Sequence, residues 1–127
     1  MNDCVVDSSV LLTIIRGELG QAQATEVLPG SLLSAVNLSE VVAKLSEQGA
    51  GSDDIQRMLR QLPCTVVGFD EDQAFTAGVL RVATAHKGLS FGDRACLALA
   101  LQRRLPAWTA DRAWAGLELG VDVRLIR

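Results

Sequence analysis

From Ala95 to Leu101 the chain reads Ala-Cys-Leu-Ala-Leu-Ala-Leu, apolar at every position. A helix of that composition has no side to offer water and must be buried all round. Ser90 stands where an N-cap belongs, and Asp93 falls three residues later, in the first turn. The stretch therefore holds a carboxylate at the positive end of an interior helix. Taken alone, this is also what a capping box does, with Asp93 standing in for Glu or Gln. The rest of the chain has to decide between a cap and a site.

That helix sits in an alternating pattern. Cys4-Val5-Val6 is a short β-rich run ending at Asp7, and Ser8 to Arg16 carries enough Val, Leu and Ile for a buried helix. Gln21 to Leu28 reads as a second helix, stopped by Pro29-Gly30. Leu32 to Val36 is the next strand, and Asn37 opens a helix to about Gln48, closed by Gly49. Ser52-Asp53-Asp54 caps a helix through Gln61. Cys64 to Phe69 is a third strand, and a long helix runs from Gln73 to about Lys87. After the apolar helix come a fourth strand, Pro106 to Thr109, a short helix, Arg112 to Leu119, and a fifth strand, Val121 to Ile126. Strands alternating with helices predict an α/β fold, a parallel five-stranded sheet covered on both faces. At 127 residues the whole chain, 1–127, is expected to be one domain.

In such a sheet the crossover rule puts every strand's C-terminal end on one edge, and ligands bind there, where the strand order reverses. Four carboxylates fall on that edge. Asp7 ends the first strand, Glu40 lies in the first turn of the helix after the second, Asp93 opens the apolar helix, and Asp111 follows the fourth strand. Each has a plainer explanation as a helix cap, and Asn37 to Glu40 has capping-box spacing. Asp53 and Asp70 serve as controls, since they also look like caps and are assigned no chemistry. With the order 3-2-1-4-5, the third strand and Asp70 lie at a sheet edge, whereas the four acids surround strands one and four at the switch point.

Four like charges gathered there repel, and each tends to keep its proton unless a cation enters. Oxygen-only ligands point to Mg²⁺ or Mn²⁺. His86 stands alone and offers neither a zinc ligand set nor a Ser-His-Asp triad. Such a metal polarises phosphoryl oxygens and lowers the pKa of water, which suggests phosphate chemistry. No GxxxxGK[ST] loop is present, so nucleoside triphosphate hydrolysis is disfavoured. Lys and Arg total 12 against 15 Asp and Glu, so a phosphate polymer is not held by overall charge. Aromatics are only 4%, which argues against a broad stacking platform for bases.

The segments Val5-Val6-Asp7-Ser8-Ser9, Asn37-Leu38-Ser39-Glu40-Val41, Leu89 to Ala95 and Thr109-Ala110-Asp111-Arg112-Ala113-Trp114 resemble, in order, the motifs of PIN-domain ribonucleases. Within that family the chain is most similar to VapC-type toxins of bacterial toxin–antitoxin pairs. The resemblance implies a PIN-like three-layer α/β/α fold and Mg²⁺- or Mn²⁺-dependent endonuclease action on RNA. It makes Asp7 and Asp93 the principal metal ligands. Glu40 and Asp111 bind metal directly or through water and orient the attacking water, with Ser9 and Thr109 as polar support. It also implies a homodimer, and a small antitoxin whose C-terminal segment lies in the active-site groove.

Arg94 and Arg112 follow two of the acids, either as phosphate contacts or as solvent-facing ion pairs of little energetic weight. Arg16 is a further candidate for the groove. Trp108 and Trp114 sit in apolar pattern and read as packing. Cys4, Cys64 and Cys96 are scattered through apolar runs, which suits buried thiols in a reducing compartment. The N-terminus Met1-Asn2-Asp3-Cys4 lacks the basic segment of a signal peptide, and no apolar run nears the roughly 20 residues of a membrane span. The expected location is cytoplasmic. Two rivals stand beside the nuclease: a PIN-like module that binds its partner without catalysis, and a receiver-type signalling domain of similar length.

Overall fold

The computed structural model describes residues 3–127; Met1 and Asn2, part of the N-terminal stretch read above, lie outside them. The elements in order are β1 (Val5–Val6), α1 (Ser8–Arg16), α2 (Gln21–Val27), β2 (Leu32–Ser34), α3 (Ala35–Glu47), α4 (Ser52–Arg60) and β3 (Thr65–Val67). They continue with α5 (Glu71–Thr84), α6 (Phe91–Arg103), β4 (Ala107–Thr109) and β5 (Val123–Leu125). The strands form one sheet in the order β3-β2-β1-β4-β5, with every neighbouring pair parallel. This is the expected three-layer α/β/α arrangement, with the switch point between β1 and β4. The order also differs from the 2-1-3-4-5 of receiver-type doubly wound sheets.

Alternation along the short strands splits the core into two layers. Val6 and Leu33 face one cluster with Val10, Leu11, Val41 and Ile55, under α1 to α4. Val5 and Ala107 face the other, with Leu97, Leu99, Leu80 and Trp114. The apolar helix behaves as its composition demands: Ala95 through Ala100 are buried without a break. Trp114 is fully buried, as the packing reading requires.

Local chemistry shifts several boundaries. β2 stops at Ser34, whose hydroxyl accepts from the Val36 N–H at 3.2 Å and starts α3 two residues early. Asn37 is therefore inside the first turn and not at its head, so Asn37 to Glu40 is no capping box. α4 is capped by Gly51, with Asp53 one residue inside the helix. Asp70 is a cap as expected, its Oδ1 accepting from the Gln73 N–H at 2.8 Å. The helix expected over Arg112 to Leu119 shrinks to a single 3₁₀ turn, Arg112–Trp114. Gly116 and Gly120 adopt φ of 80° and 78°, which turns the chain out of helical geometry.

Candidate active site

Asp7 leaves β1 at the sheet's C-terminal edge and is buried, with 3% of its surface exposed. Its carboxylate caps α1, with Oδ1 accepting from the Ser9 N–H at 3.0 Å, the Val10 N–H at 3.3 Å and the Ser9 hydroxyl. Oδ2 accepts from the Thr109 hydroxyl at 2.7 Å. Ser9 and Thr109 in turn accept from the backbone N–H groups of Ala110 and Asp111, at 2.8 and 3.0 Å. The ends of β1 and β4 are thus stitched together through one carboxylate. Burial nonetheless dominates and raises the Asp7 pKa to about 6, against the lowering effect of these hydrogen bonds; the charge of Asp93 adds to the rise.

Asp93 forms the capping box that the sequence suggested. Its Oδ2 accepts from the Ser90 N–H at 2.8 Å while the Ser90 hydroxyl accepts from its own N–H at 3.2 Å. Capping does not exhaust its role. Burial raises its pKa, the Ser90 bonds oppose the rise, and the charges of Asp111 and Glu40 push it further. The fully buried Cys96 thiol, one helical turn on, feels Asp7, Asp93 and Glu40 together, after the larger effect of its own burial. The cap residue also stands within reach of the charges of Asp111 and Glu40.

Glu40 comes from the second turn of α3. Its Oε1 accepts from the Asn37 amide at 2.9 Å and from the Ser8 hydroxyl at 3.2 Å. The same Asn37 amide donates to the Gly92 carbonyl at 3.0 Å, fastening α3 to the start of α6. Ser8 and Asn37 were not singled out from the sequence. Ser8 reaches Glu40 across 32 residues and Asn37 reaches Gly92 across 55, contacts that only the folded chain reveals. Asp111 stands at the exposed rim, where Oδ1 accepts from the Ala113 N–H at 2.9 Å.

The nearby cations do not neutralise this group. Arg94 donates to the Ala77 carbonyl at 2.9 Å and lies over the Phe91 ring, 5.7 Å from its centroid. Arg112, Arg16 and His86 are exposed. Among the described residues the ion pairs join Arg57 to Asp54 and Arg124 to Asp122, and none involves the four acids. Among those residues, too, no three His, Cys, Asp or Glu side chains converge closely enough to enclose a metal as they stand. The donor chemistry nonetheless suits a hard cation. The candidate donors are carboxylate oxygens, that of Asp7 is buried, and the buried Oδ1 of Asn37, which bonds Glu40 through its amide nitrogen, lacks a hydrogen-bond partner.

The chain matches the PIN domain family over residues 4–118, and it belongs to that family. No curated protein matches it. Among solved structures it is similar to a toxin–antitoxin complex from Klebsiella pneumoniae, with 22% identity over 98% of each chain and a TM-score of 0.77. A DNA-bound VapBC from Salmonella typhimurium shows 17% identity over 100% of each chain and a TM-score of 0.77. VapC20 of Mycobacterium tuberculosis, described as a sarcin–ricin loop cleaving toxin, shows 20% identity over 95% of this chain and 98% of that one, with a TM-score of 0.72.

Proposed function

We propose that the protein is a divalent-cation-dependent endoribonuclease and the toxin of a toxin–antitoxin pair. The observation that carries this reading is the buried Asp7 carboxylate, which shares one sheet edge with Asp93, Glu40 and Asp111 and meets no basic side chain there. Family membership and the VapBC-like fold support it. Asp7 and Asp93 would hold Mg²⁺ or Mn²⁺, with Glu40 and Asp111 completing the site directly or through water. The cation, when bound, supplies Lewis-acid charge against the phosphodiester and its departing oxygen.

The chain's own residues do the positioning. Ser9 and Thr109 aim Asp7, Ser8 and Asn37 aim Glu40, and the α6 cap fixes Asp93. Asp111, the exposed acid, orients the attacking water and takes up its proton. RNA is the substrate, the protein works in the cytoplasm, and a small antitoxin occupies the groove when activity is held in check. Among the described residues no helix is long and apolar enough to cross a membrane.

A second copy of the chain is also part of this reading. Phe75, Val79 and Val82 form an exposed stripe on α5, at 75%, 62% and 87% exposure. Two α5 helices laid antiparallel about an axis between Gly78 and Val79 match this stripe to itself, in the isologous manner of a two-fold dimer. Phe75 then meets the second copy's Val82, so the apolar positions pair across the axis.

The test is cleavage of RNA by the purified protein with Mg²⁺ or Mn²⁺, with chelator, and with Asp93→Asn. Cleavage should require the cation and fall at least ~100-fold in the variant, beyond the loss expected from an outer-shell partner. The thermal transition should move by less than ~5 °C, since Asn can still accept the Ser90 bond. Undiminished cleavage with chelator and in Asp93→Asn overturns the reading. Tight antitoxin binding with no RNA cleavage would instead favour a silent binding module.

A further inference from the structure

At Glu40 the acid edge borders a cleft of about 650 Å³, within the ~300–1,000 Å³ typical of small-ligand sites. Glu40, Ser90 and Gly92 belong to both, so the cleft continues the acid edge outward. Its character then changes. Beyond the polar rim the wall is Val36, Ala43, Phe69 and Phe91. Two of the chain's three phenylalanines therefore meet here, edge to face, with ring centroids 5.5 Å apart and planes at 89°.

Phe91 is held yet open. Phe69 braces it, the Arg94 guanidinium lies over it, and 49% of the residue remains exposed. The ring lines the cleft next to Ser90 and Gly92 and offers apolar surface there for a ligand to cover. The arrangement is a single anchored ring, not the extended platform that the low aromatic content argues against.

We propose that this cleft is a base-binding subsite, in which one nucleobase flanking the scissile phosphate stacks on Phe91. The inference rests on the nuclease reading and deepens it. A phosphodiester placed at Asp7 and Asp93 carries its neighbouring nucleotide past Glu40 and Ser90 into the cleft. Every base has an aromatic face, so Phe91 strengthens binding and fixes the register of cutting without hydrogen-bond readout. Arg94 is a positioning residue here, tied to Ala77 and steadying the ring.

The experiment uses a short RNA containing a mapped cleavage site, and a set of the same RNA with an abasic ribose at each position flanking the cut. Wild-type protein should lose about 5- to 150-fold in kcat/KM at one flanking position, the range spanned by base–aromatic stacking. Phe91→Leu keeps the packing volume and loses the π-face. It should lose the same factor on intact RNA and little more on the abasic RNA, while Phe91→Tyr restores cleavage. In chelator, 2-aminopurine at that position should be quenched by the wild type and not by Phe91→Leu. Full activity of Phe91→Leu on intact RNA, or an undiminished abasic penalty in it, overturns the subsite while leaving the nuclease standing. Absence of any cation-dependent cleavage by the wild type defeats the nuclease reading itself.

Discussion

The carboxylate of Glu40 occupies the space in which a side chain on Gly92 would stand. Gly92 is the second residue of α6 and has no positive φ, so its backbone does not demand glycine. What demands it is the approach of α3. Gly92→Ala should drive Glu40 away from Ser8 and Asn37. The added helix propensity of alanine, ~1 kcal/mol, offsets much of the loss of two partly buried hydrogen bonds. Stability should therefore change little while RNA cleavage falls about 10–100-fold, as for other losses of ligand positioning. Cleavage rates measured beside thermal melts check this, and a large stability loss with full residual activity would contradict it.

Thr109 gives a prediction of the opposite balance. Its hydroxyl is buried, donates to Asp7 and accepts from the Asp111 N–H. Thr109→Val has nearly the same shape but strands both partners, at a cost of about 1–3 kcal/mol. It also removes one of the bonds that hold down the Asp7 pKa, so that pKa should rise above about 6. Thr109→Ser keeps the hydroxyl and should stay near wild type in both denaturant midpoint and cleavage. Equal behaviour of Val and Ser at this position would remove Thr109 from the site.

Much of this architecture was legible before folding. The all-apolar run from Ala95 pointed to an interior helix and the strand–helix alternation to a parallel sheet, while the order 3-2-1-4-5 entered as a condition that the fold then met. Asp7 was legible because a strand residue followed directly by a helix in a parallel sheet has only one edge to occupy. The misread places share a cause. Ser34 and Asn37 look alike as helix starters, and which of them caps is decided by where β2 stops pairing with β1 and β3. Arg112 to Leu119 has helical composition, but Gly116 within it and Gly120 just after it take left-handed turns that propensity does not foresee. Arg94 follows a site acid in sequence, yet at that helical position it points back to Ala77 and Phe91. Ser8 was invisible as a partner of Glu40, and Asn37 as a partner of Gly92, because those contacts exist only once α1, α3 and α6 meet.

The α5 stripe predicts assembly. If two copies pair through Phe75, Val79 and Val82, a charge near the axis repels its own image and desolvates without a partner. Val79→Glu should convert the dimer to a monomer in size-exclusion chromatography with light scattering. The position is 62% exposed in the single chain, so the fold itself should tolerate the change, with a stability effect near ~0.5 kcal/mol. An unchanged mass for Val79→Glu would place any dimer contact elsewhere.

Asp7 makes stability depend on pH in a direction opposite to that of a salt-bridged carboxylate. Its folded pKa, about 6, lies above the 3.8 of an unperturbed aspartate, so the folded state binds the proton more tightly than the unfolded chain. Between those values the native state carries more protons, and stability falls as pH rises. The contribution is fully present below the unfolded pKa and lost as pH rises through about 6. Two pKa units correspond to about 3 kcal/mol. Asn at this position keeps an acceptor for the α1 cap and cannot ionise. In chelator, wild type should therefore lose about 2 kcal/mol relative to Asp7→Asn between about pH 4 and about pH 7.5, measured by denaturant unfolding. Mg²⁺ or Mn²⁺ at the upper pH should restore stability to the wild type and not to the variant, because a ligand bound only by the folded state stabilises it by mass action. A pH-independent difference between the two proteins, or equal stabilisation of both by the cation, would remove Asp7 from the centre of the site.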